Sequence, residues 1–137
     1  MNALLDQILD TLIPASPDGR MPAAGALGLA DVVRAETAGA RDVVAAGLAA
    51  LEERGFGELD EAGRIEALRA VEADQPEFVR TLLVPTCIAY YQHPDVLEGL
   101  GLEPRPPHPK GFELEPGDLA ALDRVRRRGA IYRDDTG

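Results

Sequence analysis

The chain has 137 residues, 14 basic and 24 acidic side chains and a formal net charge of −10; this length suits one domain with a single core. Aromatics make up 4% and tryptophan is absent, which points to a core of small and aliphatic side chains between helices rather than a β-rich one. One cysteine, Cys87, excludes an internal disulfide and any multi-cysteine metal site, and the acidic balance argues against nucleic acid and against anionic lipid as partners.

The first predicted element is an amphipathic helix. Leu4, Leu5, Ile8, Leu9 and Leu12 recur at helical spacing, with Asp6, Gln7 and Asp10 on the other side. Asn2 suits the N-cap and Pro14 ends the helix. Residues 14–22 hold Pro14, Pro17, Gly19 and Pro22, a turn-rich loop. Helix is expected again from about Ala23, with Leu27, Leu29, Val32 and Val33 inward. A longer helix carries Val44, Leu48 and Leu51 on one stripe and stops at Gly55-Phe56-Gly57.

Asp60 is a good N-cap for a helix whose buried stripe is Ile65, Leu68 and Val71. Pro76 opens the next one at its first position. That helix carries Phe78, Leu82, Leu83, Ile88 and Tyr91, apolar nearly all round. The pattern predicts the central buried element, kinked at Pro85. His93-Pro94 marks a break before a short helix over 95–100, closed by Gly101. Residues 103–111, with Pro104, Pro106, Pro107 and Pro109, read as an extended arm. A last helix is predicted over 116–128, with Leu119, Leu122 and Val125 on one face, and an irregular tail over 129–137. The expectation is an all-α, single-domain helical bundle over 1–128 with irregular Pro-rich loops and arms. Residues 1–102 carry all of the net charge of −10, and 103–137 are neutral.

Catalytic signals are few. Cys87 sits in an apolar helix with nothing basic within a turn to activate it. His93 and His108 match no metal-ligand spacing, and pairs such as Glu52/Glu53 and Asp60/Glu61 read as surface or capping groups. The segment Tyr90-Tyr91-Gln92-His93-Pro94-Asp95 differs in kind, with two phenols, an amide and an imidazole at the end of the most apolar helix. Two readings stand side by side: tyrosines packing the end of the bundle, or a polar aromatic partner surface beside a proline arm.

Leu9-Asp10-Thr11-Leu12-Ile13-Pro14-Ala15, followed by Pro17-Asp18-Gly19 and Ala23-Ala24-Gly25, resembles the opening of the gluconate 2-dehydrogenase subunit 3 family. Tyr90-Tyr91-Gln92-His93-Pro94-Asp95-Val96-Leu97, then Leu100-Gly101 and the arm ending Lys110-Gly111-Phe112, is similar to that family's second signature. The likeness covers about residues 4–112. It implies a non-catalytic accessory subunit that binds, stabilises or matures a large dehydrogenase of the glucose–methanol–choline type. FAD is then expected on the partner and no cofactor on this chain. Taken with the resemblance, the residues expected at the interface are Pro14, Pro17, Asp18 and Gly19 in the first loop and Tyr90, Tyr91, His93 and Pro94 at the second signature. Pro104, Pro106, Pro107, Gly111 and Phe112 complete the expectation along the arm. Many members carry a twin-arginine leader that this sequence lacks, so the cytoplasm is expected, with the periplasm the alternative if a leader has been removed or another subunit directs export. Two rival functions make distinct predictions. A stand-alone small-molecule binding protein would line a pocket with Tyr90, Tyr91 and His93, and an enzyme would use His93 or His108 as a base.

Overall fold

The structure is a computed structural model that describes residues 2–105, 108–111 and 117–128. Its contacts divide the chain into two units, Met1–Arg105 and Pro106–Gly137, and the division falls inside the predicted proline arm. The first unit holds α1 (Asn2–Leu12), α2 (Ala30–Glu36), α3 (Arg41–Glu53), α4 (Glu61–Asp74), α5 (Pro76–Gln92) and α6 (Pro94–Gly99). Short 3-10 turns at Gly25–Leu27, Ala38–Ala40 and Phe56–Glu58 link them. No strand occurs among the described residues, so the expected all-α class holds.

The apolar stripe of α1 becomes the core as its spacing demands, with Leu5, Ile8 and Leu9 buried. The helix runs from Asn2 to Leu12. Asp60 caps α4 through a 2.8 Å bond that its carboxylate accepts from the Gly63 amide, and Pro76 takes the first position of α5; both signals were legible. Helix α5 packs against α2, α3, α4 and α6. It inserts Phe78 and Leu82 among Ile8, Leu9, Val33, Leu51, Phe56, Val71 and Val96, all fully buried. Gly47 of α3 makes the α3–α5 approach: a Cβ there would overlap the Phe78 ring.

Two expectations change. The stretch after Ala23 is not one helix: a 3-10 turn ends at Gly28, and α2 starts at Ala30 and lasts two turns. A helix that short buries only Ala30 and Val33 and leaves Val32 49% exposed. Helix α5 is continuous through Pro85, where the kink is predicted. It is buried on one face only. Phe78, Val79, Leu82, Thr86 and Tyr90 turn inward, while Leu83, Val84, Ile88 and Tyr91 stand in solvent.

The second unit holds a 3-10 turn, Leu119–Leu122, and a single α-helical turn α7, Asp123–Arg126. This is shorter than the predicted 116–128 helix, and Pro116 lies outside the described residues. Asp118 caps the turn by accepting from the Ala120 amide at 3.0 Å. Leu119, Leu122 and Val125 are exposed.

Candidate functional site

The two signature segments, some 70 residues apart in sequence, meet in the first unit. The loop 14–22 is built on its own hydrogen bonds. Ser16 Oγ donates to Asp18 Oδ1 at 2.5 Å, the same oxygen accepts from the Arg20 amide at 3.1 Å, and the Met21 amide donates to Ser16 Oγ at 2.9 Å. Gly19 turns the loop at φ 71°, a left-handed conformation that side chains with a Cβ adopt at a cost. Two long-range bonds then tie the loop down. The Tyr90 hydroxyl donates to the Pro22 carbonyl at 2.8 Å, and Arg20 Nη2 donates to the Gly99 carbonyl at 3.0 Å. A Cβ on Gly99 would crowd the Arg20 carbonyl, so the contact between loop and α6 is as close as backbone allows.

His93 occupies the junction of α5 and α6 as an N-cap. Its Nδ1 accepts from the Asp95 amide at 3.3 Å, and Pro94 follows at the first helical position. This engages Nδ1 in holding the chain at the junction. Tyr90 is buried with its hydroxyl satisfied, and Tyr91 meets it edge-on, centroids 5.2 Å apart at 89°. Burial, with Tyr91 beside it, raises the Tyr90 phenol above its ordinary pKa.

The predicted interface residues therefore divide. Pro14, Pro17, Asp18, Gly19, Tyr91, Pro94 and Pro104 are exposed. Tyr90 is buried and His93 half-buried, and with the loop they form the corner that carries the others. Gly111 belongs to the second unit, and Pro106, Pro107 and Phe112 lie outside the described residues. Tyr90, Tyr91 and His93 do not converge on any of the described grooves. Among the described residues no cluster of His, Cys, Asp or Glu could hold a metal ion, and no helix is long and apolar enough to cross a membrane.

Two consequences of the corner are measurable. Tyr90→Phe removes the tie to Pro22 while keeping the ring, and should lower stability by about 1 kcal/mol, read as a lower urea midpoint with an unchanged slope. The Ser16 hydroxyl and the Arg20 amide hold the Asp18 carboxyl below its ordinary value. A carboxyl with a depressed folded-state pKa stabilises above its unfolded pKa, and the contribution is lost as pH falls through the folded one. The melting temperatures of the wild type and Asp18→Asn should thus differ at neutral pH and converge on acidification.

A further feature was not read from the sequence. An apolar groove of about 450 Å³ runs between α2 and α5, lined by Val32, Thr81, Val84, Pro85 and Ile88 with Glu36 at its wall. The available signal was the run from Thr81 to Pro94, which contains no Asp, Glu, Lys or Arg.

The family model described as Gluconate 2-dehydrogenase subunit 3 matches residues 2–102. The chain belongs to this family. The match spans α1 to α6 and contains both segments of the loop corner. No curated protein and no solved structure matches the chain. The family is named for a subunit of a dehydrogenase, and a subunit of that description implies a larger dehydrogenase partner.

Proposed function

We propose that this gluconate 2-dehydrogenase subunit 3 family member is a non-catalytic small subunit that binds, stabilises or matures an FAD-dependent alcohol or sugar dehydrogenase. The flavin belongs to the large partner, and this chain holds no cofactor of its own. The observation that carries the reading is the family match over residues 2–102. The loop corner supports it: Pro17, Asp18, Gly19, Tyr91 and Pro94 face solvent on a frame fixed by Tyr90, Arg20 and His93, so little order is lost on docking there. Binding only the folded flavoprotein would stabilise it by mass action, about 2.7 kcal/mol at a hundredfold excess over Kd. The rival small-molecule pocket gains no support, because the Tyr90 hydroxyl and His93 Nδ1 bond the chain's own backbone and the described grooves are not lined by Tyr90, Tyr91 or His93.

The test is affinity purification of the full tagged chain from its native host, with the absorbance spectrum and alcohol-oxidising activity of the eluate. A stoichiometric, yellow, larger flavoprotein that oxidises a sugar or alcohol is the expected result. Turnover by this chain alone, or an eluate without flavoprotein from cells expressing both, would overturn a permanent subunit role.

A further inference from the structure

Beyond the corner, the outward face of α5 is exposed in a way that a chain complete in itself does not require. Val84, Ile88 and Tyr91 are 56%, 55% and 54% exposed, and they fall on one stripe of the helix at spacings of four and three. Val32 of α2, 49% exposed, faces the same groove. A contiguous apolar strip flanked by polar groups marks a surface that another molecule covers, and depletion of charge at its centre is the composition of an interface core.

The polar groups of the groove say what the covering surface must bring. Glu36 at the wall makes no ion pair among the described residues. The Thr81 carbonyl has no intrahelical donor four residues on, because that residue is Pro85. Both are acceptors, on residues that line the groove. A second copy of the chain answers this poorly. Its own α5 strip has no cation between residues 81 and 94 to meet Glu36, and each copy carries a net charge of −10.

We propose that the α2–α5 groove seats an apolar segment of the flavoprotein subunit that presents a lysine or arginine to Glu36 and the Thr81 carbonyl. This rests on the subunit reading above and names the surface by which it works. The aliphatic side chains of the segment cover Val32, Val84 and Ile88. Its cation neutralises the one carboxylate of the groove, where exclusion of water strengthens the pairing.

The probe is the flavoprotein that co-purifies with the wild-type chain, identified by peptide sequencing and flavin spectrum, then separated and titrated with purified variants. Ile88→Asp is expected to weaken binding by about 100-fold or more, as loss of a central anchor does. Glu36→Gln should weaken it by about 5- to 10-fold, with the gap closing as salt rises. Ala70→Asp, on the exposed side of α4, should bind as the wild type does. Far-UV circular dichroism checks each fold, and Val84→Lys gives the same reading should Ile88→Asp lose its helix signal. If the wild-type chain captures no flavoprotein, the subunit reading falls and this proposal with it. If the flavoprotein binds Ile88→Asp and Val84→Lys as tightly as wild type, the groove is overturned and the subunit reading stands. A wild-type dimer in light scattering that Ile88→Asp splits would assign the groove to a second copy and overturn the proposal as well.

Discussion

Phe78→Ala should lower the stability of the first unit by about 3–5 kcal/mol, the range for deleting a buried phenyl ring, and Gly47→Val should lower it by about 2 kcal/mol through overpacking. The two effects have one origin. Phe78 is fully buried and its ring lies where a side chain on Gly47 would begin, so ring and glycine are the two halves of a single α3–α5 contact. The ring is held by core on its other sides and cannot swing clear. In the double variant the valine occupies space that the ring has left. Its cost should fall short of the sum of the singles by about 1–2 kcal/mol, measured as a coupling energy from four urea unfolding curves. Strict additivity would mean that the two residues do not share the contact. Valine is the better probe than alanine at position 47, because alanine regains up to about 1 kcal/mol of helix propensity that would mask part of the clash.

The second large effect is expected at Gly25. Here the obstruction is backbone: a Cβ would overlap the carbonyl oxygen of Asp6 and crowd the carboxylate of Asp10. That carboxylate accepts from the Gly25 amide at 2.7 Å and the Ala26 amide at 3.3 Å, tying the 3-10 turn to α1. Gly25→Ala must push the turn away and so loses a charge-assisted bond as well as the packing. The expected cost is about 2–4 kcal/mol. Asp10→Asn keeps an acceptor in place and should cost less than half as much. A Gly25→Ala variant within about 0.5 kcal/mol of wild type would refute the close approach. The necessity at Gly25 is one of space, unlike that at Gly19, where φ decides.

How much of this was legible depends on what each residue answers to. The stripe of α1, the Asp60 cap, Pro76 at the start of α5 and the break at His93 answer to local rules, and all four appear where the sequence places them. The segment 23–40 was misread because its elements are two turns or shorter, too brief for periodicity to assign faces. Helix α5 was misread for a different reason. Apolar residues on every side say that a helix is to be covered, but not by what, and the folded chain covers only the face bearing Phe78, Leu82 and Tyr90. The groove followed from that same ambiguity. At the corner, the signature segments were visible as motifs, but the Pro22 carbonyl that the Tyr90 hydroxyl bonds, 68 residues away, was not. Partners that distant leave no mark in a linear string.

The ties from Pro22 to Tyr90 and from Arg20 to Gly99 span 68 and 79 residues. On the ribosome, which delivers the chain from its N-terminus, the first loop therefore waits for nearly the whole unit to be made before it can be fastened. Until α2 and α4 follow, the leucines of α1 lack the helices that pack on them, and slow non-local closure of this kind prolongs exposure to aggregation. Synthesis slowed or halted before residue 99 should leave an unclosed first unit that holdase chaperones and proteases recognise, and release past that point should end their access together with the closing of the corner.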